Sequence, residues 1–224
     1  MTEVLSRRGL ITAGSAALGG LLLAGCDRLS QAPSAQRLVG SAQGLTLRSQ
    51  RLLLAGRPLA REFKVSDISP VFKANGSTMP DDPAYRTHLA RSFADWRLQV
   101  DGLVRRPVGL SLDQLRALAA RTQITRHDCV EGWSAIGQWT GVPLAAVLHL
   151  AGLAPTARYA VFHCADDLEG SADGSGRYYD SIDLVDAFHP QTILAYEMNG
   201  RPLPVAHGAP LRLRVERQLG YKQA

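Results

Sequence analysis

Between Gly9 and Gly25 the chain carries no charged residue, and this apolar, Gly/Ala-rich run sits between the pair Arg7–Arg8 and Cys26. The run has the length of a signal-peptide core and falls short of the roughly 20 apolar residues a membrane span needs. Glycine and alanine dilute its hydrophobicity further, which weighs against a permanent transmembrane helix. Removing the first 25 of 224 residues leaves 199, enough for one substantial domain. Hydrophobic residues make up 46% of the chain, so a full core is expected. The net charge of +5 is modest, and no basic run interleaved with aromatics appears, so nucleic acid is not an expected partner.

The stretch SRRGLI resembles a twin-arginine export signal, an address read by a receptor, although paired arginines also occur in ordinary Sec signals. Leu22–Cys26, LLAGC, resembles a bacterial lipobox, in which cleavage precedes the cysteine and Cys26 is lipidated. Several acyl chains contribute ~0.8 kcal/mol per buried methylene, so such an anchor is stable. Asp27 resembles the signal that retains lipoproteins on the inner membrane, which places the protein at the periplasmic face. The alternative is a soluble exported protein whose cysteine merely lies near the cleavage site. The expected organisation is a signal peptide over 1–25, a lipidated Cys26 with a flexible Ser/Ala/Gln-rich tether over 26–60, and a domain over 61–224.

Ser66–Pro83 holds three prolines without periodicity and reads as a loop. Trp96, Leu98 and Val100 alternate with polar partners, which predicts a strand. Ser111 and Gln114 have capping-box spacing ahead of a short helix. Ile124–Cys129 reads as a strand. A helix follows Pro143 and stops at Gly152. Strand RYAVFHCAD, helix SIDLVDAFHP, and a strand ending in the Asn199–Gly200 turn come next. In LRLRVE, Leu211, Leu213 and Val215 face inward and the arginines outward. Strands and short helices mix without a βαβ rhythm, so the fold class is α+β.

Cysteine use narrows the chemistry without deciding it. If Cys26 carries lipid, Cys129 and Cys164 are the remaining pair, and spacing alone leaves a disulfide open. Cys129 and His127 share a strand face, so a thiol–imidazole pair is possible, but no oxyanion hole or orienting group is identifiable. Zinc is weaker, with no C-x-x-C and no histidine cluster. A thiolate on a softer metal is the third choice.

The segment CVEGWSAIGQWTGVPLAAVL, with YAVFHCADD, DAFHPQTILAYEMNGRPLPVAHGAPLRLRVE and LGYKQA in that order, resembles the sulfite oxidase-like molybdopterin oxidoreductases. It is most similar to their periplasmic branch, which includes the catalytic subunit of methionine sulfoxide reductase. The likeness runs from about Phe72 to the end. It implies the sulfite oxidase-type fold and a molybdenum–molybdopterin cofactor, with Cys129 giving the metal its thiolate and Glu131 moving protons in the pocket. It also implies that Arg212 meets the pterin phosphate, that Asn75, Cys164 and His207 line the pterin pocket, and that Gln223 and Ala224 supply backbone contacts. His207 stands where that branch has asparagine, and Cys164 where it has threonine. Trp133 and Trp139 would wall the cofactor, and His189 would be structural.

Relatives continue past GYK to a further cofactor-contacting lysine and a last strand, whereas this sequence stops at Ala224. The expectation is therefore a chain truncated at its C-terminus. The implied reaction is two-electron oxygen-atom transfer on a sulfur or similar substrate. No C-x-x-C-H haem motif is present, so a membrane cytochrome b or a c-type cytochrome is the expected electron partner. A non-catalytic lipoprotein of the same fold, or a thiol-redox protein using Cys129 and Cys164, is the alternative.

Overall fold

A computed structural model describes residues 31–53, 58–75, 77–167, 176–220 and 224. Arg7, Arg8, the run from Gly9 to Gly25, Cys26 and Asp27 lie outside the described residues. The chain divides into two compact units, Met1–Pro58 and Leu59–Ala224.

In the first unit the expected loose tether is instead a helix, α1 (Pro33–Leu53), none of whose residues is buried. Composition misleads here because serine and glutamine suggest a linker, while Ala, Leu, Gln and Arg are all good helix formers. Pro33 at the first helical position sets the entry. Gly40 and Gly44 each cost about 1 kcal/mol relative to alanine.

The second unit holds, in chain order, α2 (Pro83–Ala90), β1 (Arg97–Val100), β2 (Val108–Ser111), α3 (Leu112–Arg116), β3 (Arg121–Asp128), β4 (Ser134–Pro143) and α4 (Leu144–Ala151). Then come β5 (Tyr159–Asp167), β6 (Arg177–Asp183), α5 (Leu184–Ala187), β7 (Ile193–Met198), β8 (Arg201–Pro202) and β9 (Arg212–Arg214). Strands β3, β4, β7 and β8 form the main sheet in that order, with β9 also pairing with β7. The pairs β1–β2 and β5–β6 form two small separate sheets, and every pairing is antiparallel. This is the expected α+β class.

Local chemistry explains several boundaries. The Ser111 hydroxyl accepts from Gln114 N, and the Gln114 side chain accepts from Ser111 N, which starts α3. Gly152, at φ +69°, ends α4. Asn199 and Gly200 have φ of 51° and 71°, the two left-handed positions of the tight turn between β7 and β8. Two expectations shift. The helix foreseen from Ser181 begins only at Leu184, because Arg177–Asp183 pairs with β5. Asp82 caps α2 by accepting from Ala84 N and Tyr85 N, ending the preceding loop.

The main sheet has a core on each face. On one, Val142, Leu194, Leu213 and Val215 pack with Leu115 of α3 and Val147 and Leu148 of α4. On the other, Trp139, Ile193, Ala195, Met198 and Leu203 gather against Phe72. This second layer corrects the reading of β9. Leu213 and Val215 do point into a core, but Arg212 and Arg214 are 5% and 0% exposed. Period-two alternation says that the faces differ; it does not say that the polar face meets water. Here Trp139 covers it, with its ring centroid 4.3 Å from the Arg214 guanidinium carbon.

Gly141 sits at a register shift between β4 and β7. A Cβ there would lie 2.1 Å from Leu194 O and 2.5 Å from Ala195 Cα, both backbone atoms that cannot move aside. Gly141→Ala is therefore expected to lower unfolding stability by roughly 3 kcal/mol, read as a lower midpoint in urea denaturation.

Candidate functional site

Residues 129–133 connect β3 to β4, and hydrogen bonds at both ends fix their shape. Asp128 closes the base, accepting from Ser134 Oγ at 2.6 Å and from Arg126 Nε at 3.1 Å. Burial pushes the Asp128 carboxyl upward, but these two partners outweigh it, and the net shift is downward. Within the loop Cys129 N donates to Trp133 O at 2.9 Å, and Gly132 N donates to Cys129 O at 3.1 Å. Gly132 takes φ +86°, a conformation that costs a glycine nothing. The result presents a buried, free thiol at Cys129.

That thiol faces a cavity of about 390 Å³. Asn75, Glu131, Cys164, His207, Arg212 and Ala224 line the same cavity, whereas Trp133 and Trp139, expected to wall the cofactor, do not line it, and Trp139 packs in the core against Phe72. Gln223 lies outside the described residues. Glu131 is placed at the rim and solvent-exposed, and its Oε2 accepts from Trp133 Nε1 at 3.0 Å. Ala224 O accepts from Leu213 N, so this residue borders β9 through its backbone. His189 is buried away from the cavity, and its Nδ1 accepts from Gln191 N at 3.3 Å.

Arg212 dominates the cavity's electrostatics. Its Nη2 donates to Asn75 Oδ1 at 3.0 Å and its Nη1 to His207 O at 3.1 Å, both neutral acceptors. Its Nε is buried and has no hydrogen-bond partner. Burial and the neighbouring Arg214 bring this guanidinium down to about 9. His207 Nδ1 is likewise buried without a hydrogen-bond partner, and burial together with Arg212 pushes the imidazole downward, toward its neutral form. A desolvated cation bonded only to neutral oxygens, beside an idle Nε–H and an idle ring nitrogen, fits an anionic ligand rich in acceptors.

Directly behind, Arg214 forms a bidentate pair with Glu216, at 3.0 Å from Nε to Oε1 and 2.8 Å from Nη2 to Oε2. Its Nη1 donates to His127 Nδ1 at 3.0 Å, so His127 is bound into this structural layer. Gly220 packs on His127 so closely that a Cβ would stand 2.3 Å from Nε2.

Tyr85, which the sequence reading did not single out, also lines the cavity, as does Asp166, where a pocket-lining loop was expected to begin. Asp166 Oδ1 is buried without a hydrogen-bond partner, and burial pushes its carboxyl upward. Tyr85 donates its hydroxyl to Ala209 O at 2.7 Å, and burial pushes it to about 12.

Cys129 and Cys164 are both free, so the disulfide reading does not hold. Burial, reinforced by Asp166 and Asp180, pushes the Cys164 thiol up to about 11. No group of three or more His, Cys, Asp or Glu among the described residues could hold a metal ion. A metal beside Cys129 therefore needs most of its ligands from a cofactor.

A thiol raised in the folded state contributes stability below its unfolded pKa and loses it as pH rises through the folded value. Stability is thus expected to fall between about pH 9 and 11, and Cys164→Ala to flatten that part of the profile, as read by urea midpoints across pH.

Comparison with known proteins gives this arrangement a context. Residues 86–224 match the family described as oxidoreductase molybdopterin binding domain. The YedZ1 protein of Azospira oryzae, named as a protein-methionine-sulfoxide reductase subunit, is 41% identical over 167 residues, covering 71% of this chain and 59% of its own length. The protein-methionine-sulfoxide reductase catalytic subunit MsrP of Xanthomonas campestris pv. campestris is 31% identical over 208 residues, covering 90% of this chain and 62% of its own length. The chain thus spans about three fifths of these relatives. Among solved structures, the sulfane dehydrogenase SoxCD from Paracoccus pantotrophus aligns with a TM-score of 0.46 at 23% identity, over 55% of this chain and 34% of that one. With the match spanning most of the second unit and the cavity built as described, the chain belongs to the oxidoreductase molybdopterin-binding domain family.

Proposed function

We propose that this protein is a molybdenum–molybdopterin oxidoreductase that reduces a sulfoxide, with protein-bound methionine sulfoxide the favoured substrate. The observation that carries the reading is one cavity holding both a buried free thiol, Cys129, and a buried guanidinium, Arg212, bonded only to neutral oxygens. The sulfoxide follows from the names of the relatives, two of which carry the words methionine-sulfoxide reductase. When bound, the cofactor supplies two-electron oxygen-atom transfer.

The chain's own groups have distinct tasks. Cys129 would give its thiolate to the metal, a soft donor for which thiolate ligation is favourable. Arg212 would neutralise the pterin phosphate, using the Nε–H that has no partner within the protein. Asn75 holds that guanidinium in place, and His207 offers Nδ1 to the pterin. Cys164 lines the wall as a protonated thiol, and Ala224 borders the cavity beside β9 through its backbone. Glu131, exposed at the rim and fixed by Trp133, is placed to exchange protons with solvent at its carboxylate.

The leader features support export by the twin-arginine route with a lipid anchor at Cys26, on the periplasmic face of the inner membrane. Reducing equivalents would then come from a membrane cytochrome b or a c-type cytochrome. A thiol-redox pair is disfavoured, because a Cys164 thiol at about 11 is protonated and a poor nucleophile at neutral pH.

Protein isolated from molybdenum-replete cells should carry about one molybdenum per chain and reduce methionine sulfoxide with a low-potential dye as donor. Cys129→Ser should abolish turnover, losing at least about 1000-fold in kcat while leaving the fold intact. Folded wild-type protein free of molybdenum would overturn the enzymatic reading in favour of a non-catalytic lipoprotein of this family.

A further inference from the structure

We infer that α1 is a membrane-surface helix that docks on anionic lipid headgroups. From Arg28 to Arg61 the sequence contains no aspartate or glutamate, yet it carries Arg28, Arg37, Arg48, Arg51, Arg57 and Arg61. Within that stretch α1 runs for 21 residues without one buried side chain. Helical spacing puts Leu38, Val39, Ala42, Leu45, Leu52 and Leu53 along one face. Leu38, Leu45 and Leu52 are 73%, 64% and 78% exposed. Arg37, Arg48 and Arg51 cluster on a separate face, where Gly40 and Gly44 also fall. An apolar stripe in water is unfavourable, and a helix of this length with two glycines is marginal when nothing packs against it. Something must cover the stripe for the helix to be firmly formed.

Charge complementarity identifies the cover. A stripe flanked by arginine and free of acidic residues suits an anionic bilayer surface, where the leucines sink among the acyl chains and the arginines reach the phosphates. The helix lies on the membrane and does not cross it, since no helix among the described residues is long and apolar enough to span. A second copy of α1 fits less well. Leu38, Leu45 and Leu52 keep seven-residue spacing, but the alternate seam positions fall on Ser41 and Arg48, or on Ala42 and Ser49, which breaks the apolar stripe a coiled coil needs.

The assignment rests on the membrane-facing placement proposed above and goes beyond it. A lipid at Cys26 would fix only a point, whereas a docked α1 fixes a line and so limits how the following chain can turn over the surface. Hydrogen exchange on the full chain, with and without vesicles, tests it. On phosphatidylcholine vesicles containing one-third phosphatidylglycerol, amides of 33–53 should exchange about tenfold more slowly than without lipid. Pure phosphatidylcholine should protect less. Replacing Arg37, Arg48 and Arg51 by glutamine should remove the difference between the two lipids, and Leu38→Ser with Leu45→Ser and Leu52→Ser should remove protection on both.

If the protein sediments with vesicles while 33–53 exchange as fast as in water, the helix is not docked; the proposal fails and the anchor stands. If it does not sediment at all, both fail. Protection without lipid, together with a dimer mass in light scattering, would assign the stripe to self-association and overturn the proposal.

Discussion

A fully buried ion pair holds the working half of this fold together. Arg214 meets Glu216 with two hydrogen bonds, lies over the Trp139 ring, and gives its remaining terminal nitrogen to His127. Gln123 adds a hydrogen bond to Glu216 at 2.9 Å. Strands β3, β4 and β9 and the segment after β9 are thereby joined through one charged cluster. Burying such a pair repays its desolvation only when each lone pair and proton finds a partner, and the loss of either member costs on the order of 3–5 kcal/mol. Here both Glu216 oxygens accept from Arg214, Oε1 accepts also from Gln123, and Arg214 has a partner at each of its three nitrogens. The cluster also ties β3, which leads into Cys129, to β9, which carries Arg212.

That cluster explains how the cavity can stay polar and yet unsatisfied. Arg214 has an ion-pair partner in contact; Arg212, two residues earlier on the same strand face, is hydrogen-bonded to neutral oxygens and meets Glu216 and Asp166 only through space. Burial first, and then Arg214 on the same face, bring the Arg212 guanidinium down to about 9. One arginine thus serves the fold and the other faces the cavity. Cys129, Glu131 and Asp166 are placed around the second, on the connection after β3 and on β5.

Much of this was readable where local chemistry dominates. Ser111 with Gln114, the Pro143–Gly152 limits of α4 and the Asn199–Gly200 turn are short-range signals, and each appears as expected. The order of motifs around Cys129 and Arg212 was equally legible, while the loop that carries Asn75 offered no comparable motif. Strand β4 was not. Its inward positions are Ala135, Gly137, Trp139 and Gly141, and small residues there leave no apolar alternation to detect. They are small because other groups come close: the β7 backbone at Gly141, the Phe72 ring at Gly137. The buried charge on β9 was hidden for a related reason, since only tertiary packing supplies Trp139 as its cover. In α1 the opposite held: helix-forming residues were present, but composition pointed to a linker.

The loop that carries Cys129 is held by bonds that do not involve its side chain. Its amide and carbonyl are tied to Trp133 and Gly132, and the base is clamped by Asp128 and Ser134. The turn is therefore indifferent to which donor atom it presents. Sulfur, oxygen or selenium could occupy the position on an unchanged backbone. The chemistry offered to the cavity at this position is a property the scaffold can vary independently of its shape.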